Sequence, residues 1–256
     1  MPRLAANLSM LFTEHDFLDR FAAAAAAGFR HVEYQFPYAH TADEVGQAAR
    51  RAGVQVVLHN LPAGDMARGE RGIACLPGRE GDFRAAVALA VEYARAAGCP
   101  RLNCLAGLAP VDRTHFDTLV GNVRYAARRL AEAGLQLMLE PINTRSVPGF
   151  FLTGSAQTLE VLDAAGEGNA FLQYDVFHMQ IMEGDLARTV ERLLPRIGHI
   201  QIADVPARHE PGTGEINFDF LLAHLDALGY SGWVGCEYNP RGDTLEGLKW
   251  ARSYLR

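Results

Sequence analysis

The sequence predicts an α/β protein of the (β/α)8 TIM-barrel class, built as a single domain over residues 1–256. Three observations indicate this fold. Short apolar and β-branched runs alternate with longer helical patterns along the whole chain, as in repeated βαβ units. Most helical patterns stop at a glycine that precedes the next apolar run. The length of 256 residues fits one such barrel, which has about 250.

The predicted elements follow from these alternating patterns. Strands are predicted near residues 4–8, 31–36, 54–60, 101–106, 135–140, 170–175, 197–203 and 233–237. Helices are predicted over residues 14–27, 41–52, 81–97, 112–133, 153–165 and 218–228. An open doubly wound sheet is the alternative, but it favours a glycine-rich phosphate turn after the first strand. Since that turn is absent, we expect no nucleotide cofactor.

One predicted connection, residues 61–79, is unusually long and has no clear periodicity. Loops of this length in compact domains are usually functional or disordered. The segment follows a strand, and in a barrel the βα loops build the active site. We therefore expect it to be a lid, with an idle surface loop as the alternative.

Composition excludes several classes of protein. The net charge of −6 argues against broad binding to nucleic acid or anionic membranes, which requires a basic face. The four cysteines are scattered and form no disulfide framework or C-x-x-C motif. The first residues lack a secretory pattern, and no apolar run reaches the roughly 18 residues of a membrane helix. A cytoplasmic protein is the expectation.

Polar residues at the carboxyl ends of predicted strands are the candidates for chemistry. Strands five, six and eight end with Glu140, Asp175 and Glu237, and strand seven carries His199 and Gln201 on one face. Four neighbouring strands thus present one oxygen ligand each. Three clustered carboxylates would repel one another, and a hard divalent cation such as Mg²⁺ or Mn²⁺ relieves that repulsion. This pattern predicts a metal site.

Each of these residues also has an ordinary structural interpretation. A lone glutamate at a strand end is commonly a cap or an arginine partner. His199 is equally consistent with a core histidine, and Gln201 alone is an ordinary polar residue. The prediction rests on four oxygen ligands falling on four successive strands.

Several longer motifs resemble a known family. They are LHNLPAGD, GERGIACLPGRE, LEPINTR, YDVFHMQIMEGDL, HIQIADVPARHEPGTGEINF and CEY. In order and over nearly the whole chain, they are similar to the hydroxypyruvate isomerase family of xylose-isomerase-like barrels, which includes 2-oxotetronate isomerases. A homo-oligomer is compatible with this resemblance.

The resemblance implies isomerisation of a small hydroxy-oxo acid through an enediolate, most simply hydroxypyruvate to tartronate semialdehyde. The substrate of a 2-oxotetronate isomerase is the alternative. The resemblance also implies that Glu140 and Glu237 exchange the proton, and that Glu140, Asp175, Gln201 and Glu237 bind the metal. Related sugar epimerases carry histidine where this chain has Gln201, so one nitrogen ligand is missing.

Other residues are candidates for substrate contacts. Arg208 and His178 are expected to neutralise a substrate carboxylate or enediolate oxygen, since an arginine fork fits a carboxylate. A surface ion pair is the alternative for Arg208. Glu70 and Arg71 in the 61–79 loop are expected to close over the substrate, and His59 to line the pocket floor.

Two further classes of function fit this sequence less well. A DNA-repair endonuclease on the same fold would need several zinc ions, many histidines and a basic surface, which this composition does not offer. A non-catalytic sugar-acid binding barrel would lack a catalytic carboxylate, whereas both Glu140 and Glu237 are present.

Overall fold

The computed structural model describes residues 2–255 and contains a closed barrel of eight parallel strands in chain order. The last strand pairs with the first, with Ala6 opposite Cys236. The strands are β1 (Arg3–Asn7), β2 (His31–Tyr34), β3 (Gln55–Asn60), β4 (Arg101–Cys104), β5 (Gln136–Leu139), β6 (Ala170–Asp175), β7 (Ile197–Ile202) and β8 (Trp233–Cys236). The predicted TIM-barrel fold is confirmed.

Helices follow the strands along the chain and bury one face. They are α1 (Arg20–Ala26), α2 (Ala42–Ala52), α3 (Glu80–Ala97), α4 (Arg113–Ala131), α5 (Ser155–Ala165), α6 (Val176–Met182), α7 (Leu186–Leu193), α8 (Phe218–Ala227) and α9 (Thr244–Gly247). In α4 the buried Leu119, Val123, Ala126 and Leu130 recur at helical spacing. Among the helices of residues 2–255, none combines the length and the apolar composition that a membrane span requires.

Helix α2 shows how local sequence sets the ends of an element. The Thr41 hydroxyl accepts from the Glu44 backbone N–H, and the Glu44 carboxylate accepts from the Thr41 N–H, which is a capping box. The helix ends at Gly53, whose φ of 68° is left-handed. Because glycine adopts this conformation without a Cβ clash, the chain turns there into β3.

The first helix is shorter than predicted. The helical pattern began at residue 14, but α1 begins at Arg20. The Glu14 carboxylate instead accepts from the backbone N–H and hydroxyl of Thr244, at 2.8 and 3.1 Å. A contact across 230 residues therefore overrides the local helical preference of this segment.

The connection from β6 to β7 contains two helices, α6 and α7, that the sequence patterns did not assign. Asp175, the last residue of β6, caps α6: its Oδ1 accepts from the backbone N–H groups of Phe177 and His178, at 2.7 and 3.4 Å. The strand therefore passes into a helix without an intervening loop, and the side chain of His178 is held beside Asp175.

The 61–79 loop is folded against the barrel. Residues Met66–Arg68 form a 3-10 turn capped by Asp65. The Gly72 N–H donates to Ala63 O at 2.9 Å, and the Cys75 N–H donates to Ala106 O at 2.8 Å. These bonds fix the loop to itself and to the segment after β4. Its function as a lid stays a prediction.

Candidate active site

Two of the three strand-end carboxylates border one small cavity at the carboxyl end of the barrel. Glu140 and Glu237 are each 5% exposed, and both line a cavity of about 180 Å³. This volume is below the ~300–1,000 Å³ of drug-sized ligand pockets, so the cavity suits a small substrate. Other residues of its wall are Gln35, Asn60, Arg71, Ile142, His178 and Arg208.

Three donors hold the carboxylate of Glu237. Its Oε1 accepts from Asn7 Nδ2 at 3.1 Å and from Gln35 Nε2 at 3.0 Å. Its Oε2 accepts from Arg208 Nη2 at 2.6 Å. Burial raises the pKa of Glu237 to about 7, while the Arg208 guanidinium opposes that rise. The carboxyl group therefore has a fixed orientation, and its pKa lies near neutral pH.

Glu140 has a different environment. It accepts one hydrogen bond from a side chain, from Asn103 Nδ2 at 2.7 Å. Burial raises its pKa well above the usual range, and the negative charges of Glu237 and Asp175 raise it further. Two buried carboxyl groups with unequal surroundings on one cavity are the arrangement in which one acts as acid and the other as base.

His178 is a neutral hydrogen-bond donor in this arrangement. Burial lowers its pKa to about 4. Asn143 Oδ1 accepts from two backbone N–H groups, so its Nδ2 is the atom that donates to His178 Nδ1, at 2.6 Å. Because Nδ1 accepts, the ring proton lies on Nε2, 3.5 Å from Asp175 Oδ2. The imidazole therefore presents an N–H towards the carboxylates.

The carboxylates form a group that could hold a metal ion. One ligand atom each from Glu140, Asp175 and His178 lies within 4.8 Å of the others, and all three residues are buried. Two carboxylates in a low-dielectric site fit the oxygen preference of Mg²⁺ or Mn²⁺. The Nε2 proton of His178 disfavours it as a ligand in this tautomer, so Glu140 and Asp175 are the stronger donors.

The other two predicted metal ligands, Gln201 and Glu237, are bonded to protein side chains. Gln201 donates from Nε2 to Glu33 Oε1 at 2.8 Å, and its Oε1 accepts from Gln173 Nε2 at 2.7 Å. Arg208 Nη2 lies between Glu237 Oε2 and Asp175 Oδ2, at 2.6 and 3.4 Å. A guanidinium thus bridges two of the predicted metal ligands, and the full four-residue ligand set stays a prediction.

A buried glutamate that the sequence patterns did not single out lies inside the barrel. Glu33 on β2 is 0% exposed and contacts His199 Nε2 at 2.6 Å. Its Oε1 accepts from Asn7 Nδ2 at 3.0 Å as well as from Gln201. Opposite it stands Gly235, where an added Cβ would lie 2.3 Å from Glu33 Oε2. Glycine on β8 leaves the space that this carboxylate occupies.

The remaining predicted contacts differ in their placement. Arg208 and Arg71 both line the cavity. Glu70 is turned away from it, pairing with Arg79 at 2.6 Å. His59 does not line it either: it is fully buried and stacks on Tyr34, with ring centroids 5.7 Å apart. Burial lowers the pKa of His59 to about 4, so the ring is neutral. The structure therefore does not bring Glu70 and His59 to the pocket.

Asn7 links Glu33 to Glu237, and its removal tests the effect of that link. We expect Asn7→Ala to lower kcat by about 10- to 100-fold, the usual cost of losing a residue that orients a catalytic group. Steady-state kinetics measure the effect. Asn169→Ala, which removes an amide bonded to Ala127 O and Leu135 O, is the control and should keep its kcat. Equal kcat values in both variants would contradict an orienting role for Asn7.

The fold and the carboxylate site place the chain in a structural class. A family model described as xylose isomerase-like TIM barrel matches residues 21–254. A crystal structure described as AP endonuclease, family 2, from Brucella melitensis superposes with a TM-score of 0.98 at 44% identity, covering 100% of both chains. The protein is therefore a xylose isomerase-like TIM barrel.

Two relatives narrow this class. The chain is 51% identical to hydroxypyruvate isomerase of Escherichia coli (strain K12), over 99% of this chain and 100% of the relative. It is 48% identical to 2-oxo-tetronate isomerase of Cupriavidus necator, over 100% of this chain and 99% of the relative. The chain belongs to the hydroxypyruvate isomerase family, which includes 2-oxo-tetronate isomerases, and is an isomerase of that family. The resemblance noted in the sequence is confirmed.

Proposed function

We propose that the protein isomerises hydroxypyruvate to tartronate semialdehyde through an enediolate. The observation that carries this proposal is the pair of buried glutamates, Glu140 and Glu237, on one small cavity. Moving a carbonyl by one carbon requires removal of a proton from the adjacent hydroxyl-bearing carbon and delivery of a proton to the former carbonyl carbon. The hydroxyl proton passes from one oxygen to the other in the same conversion. Two carboxyl groups bordering the same cavity supply the acid and the base for these steps.

The surrounding residues stabilise the charge that develops. The Nε2–H of His178 lies beside the carboxylates, where an oxyanion of the enediolate would form, and Arg208 holds Glu237 in place. Glu140 and Asp175, with Gln201 and Glu237 as the further ligands that the family resemblance implies, would hold a divalent cation. Such a cation supplies positive charge for the two substrate oxygens.

The preference for hydroxypyruvate over a 2-oxo-tetronate has two supports. The chain is 51% identical to hydroxypyruvate isomerase of Escherichia coli (strain K12) and 48% identical to 2-oxo-tetronate isomerase of Cupriavidus necator. The cavity of about 180 Å³ is also small, and the tetronate carries one more carbon and a hydroxyl. An endonuclease activity, which the Brucella melitensis protein's description suggests for that protein, is disfavoured here by the net charge of −6.

An assay of the purified protein tests the proposal. Each substrate is followed by proton NMR in EDTA, and again after Mg²⁺ or Mn²⁺ is added. We expect faster turnover of hydroxypyruvate than of 2-oxo-tetronate, with a loss in EDTA that either cation restores. If 2-oxo-tetronate is the faster substrate, the alternative specificity holds. If neither substrate reacts with either cation, the proposed function is wrong.

A further inference from the structure

Arg71 is a cationic residue of the 61–79 loop that lines the cavity. Its Nη1 donates to two carbonyl groups of the same loop, Glu70 O at 2.8 Å and Met66 O at 3.3 Å. Next along the chain, Gly72 is fixed by the bond from its N–H to Ala63 O at 2.9 Å. Arg71 lines the same cavity as Glu140 and Glu237. The loop thus orients this side chain before any ligand binds.

The charge of Arg71 is not neutralised by the protein. The adjacent carboxylate, Glu70, pairs with Arg79 at 2.6 Å and accepts from the Asp65 N–H at 2.5 Å. Among residues 2–255, no carboxylate forms an ion pair with Arg71, and its Nε and Nη2 have no hydrogen-bond partner. A partly buried guanidinium in this state attracts an anion from solution.

The second arginine of the cavity differs in being paired with carboxylates, although within residues 2–255 its buried Nε has no hydrogen-bond partner. Arg208 pairs with Glu237 at 2.6 Å and with Asp175 at 3.4 Å, and it stacks over Phe177 with 5.1 Å from its Cζ to the ring centroid. Its charge is therefore largely taken up by carboxylates of the site. A substrate carboxylate placed on Arg208 would lie close to Glu237 and Asp175, and like charges repel.

We propose that Arg71 binds the carboxylate of the substrate and so makes the enzyme selective for sugar acids over neutral sugars. This inference rests on the proposed function. The acid end of the substrate lies at the 61–79 loop, and its hydroxy-carbonyl carbons lie at Glu140 and Glu237. The fork of Nε and Nη2 matches a carboxylate bidentately. The loop contributes selectivity, while Arg208 orients Glu237.

A comparison of charged and neutral substrates tests this assignment. Wild type and Arg71→Met are assayed with hydroxypyruvate and with its primary amide. The amide keeps the hydroxy-carbonyl carbons but lacks the charge. We expect Arg71→Met to lower kcat/KM for hydroxypyruvate by about 10²-fold, mostly through KM, because a charge-assisted bidentate contact is lost. The amide should react equally with both proteins. Arg71→Lys should recover part of the loss.

A matched control lies on the same loop. Arg68 is exposed, pairs with Asp65 at 3.3 Å and is outside the cavity wall, so Arg68→Met should behave as wild type on both substrates. Thermal unfolding of each variant confirms an intact fold. If Arg71→Met keeps wild-type kcat/KM for hydroxypyruvate, or loses activity equally on the amide, the inference is wrong. If wild type isomerises no hydroxy-oxo acid, the proposed function itself fails.

Discussion

Replacing Glu237 or Glu140 by glutamine should lower kcat by at least about 10²-fold, since each replacement removes a carboxyl group that exchanges a proton with the substrate. Glutamine has nearly the same shape, so the cavity of about 180 Å³ is preserved. At Glu237, the side chains of Asn7, Gln35 and Arg208 donate hydrogen bonds to two carboxylate oxygens. A glutamine amide keeps one of these two acceptors. Because the shape of the cavity is kept and the proton-exchanging group is lost, we expect kcat to change far more than KM.

Steady-state kinetics of the two variants at saturating substrate measure this effect. The control is Glu132→Gln, which changes an exposed glutamate paired with Arg129 and should leave kcat unchanged. Metal content is determined in parallel, so that loss of a ligand is separated from loss of a proton-transfer group. Near-normal turnover in either active-site variant would remove that residue from the proposed acid–base pair.

Replacing Asp204 by alanine should both destabilise the protein and impair catalysis. This buried carboxylate organises the loop after β7: Oδ1 accepts from the N–H groups of Val205 and Ile216, at 2.9 and 3.1 Å, and Oδ2 accepts from those of Gly212 and Gly214, at 2.9 and 2.8 Å. Loss of these bonds, with two buried donors left unpaired, should cost about 3 kcal/mol of unfolding free energy.

The same loop carries Arg208, which has a left-handed φ of 58° and hence a conformation that its surroundings must maintain. We therefore expect kcat to fall with stability in Asp204→Ala, because Arg208 no longer holds Glu237. Urea unfolding and kinetics give the two quantities. Asp204→Asn, which keeps one acceptor oxygen, should lie between wild type and alanine. An unfolding free energy within about 0.5 kcal/mol of wild type would contradict the role of Asp204.

The fold was predictable because its signals are local and repeated. Each predicted strand overlaps an observed one, and glycines such as Gly53 and Gly98 end helices in the left-handed conformation. The start of α1 was not predictable, since Glu14 bonds to Thr244 at the other end of the chain. No periodicity within residues 14–27 carries information about that contact.

The site was predictable in part. Glu140, Asp175 and Glu237 were found because strand ends at the active face rarely carry buried polar side chains without a function, and the structure buries all three. Asn7, at the end of β1, meets the same criterion and was missed. The period of two that placed His199 and Gln201 on one face of β7 also places Glu33 of β2 on the same face as Gln35, the residue after that strand. The contact between His199 and Glu33, which are 166 residues apart, depends on barrel closure and has no local signal in the sequence.

Deuterium incorporation tests the central claim most directly, namely that two different carboxyl groups on one cavity move the proton through an enediolate. Hydroxypyruvate is converted in D2O and the product is examined by NMR. Because one group removes the proton and the other delivers one from solvent, the product should carry deuterium at the carbon that was the carbonyl. A product with only the substrate's own hydrogen at that carbon would contradict the account.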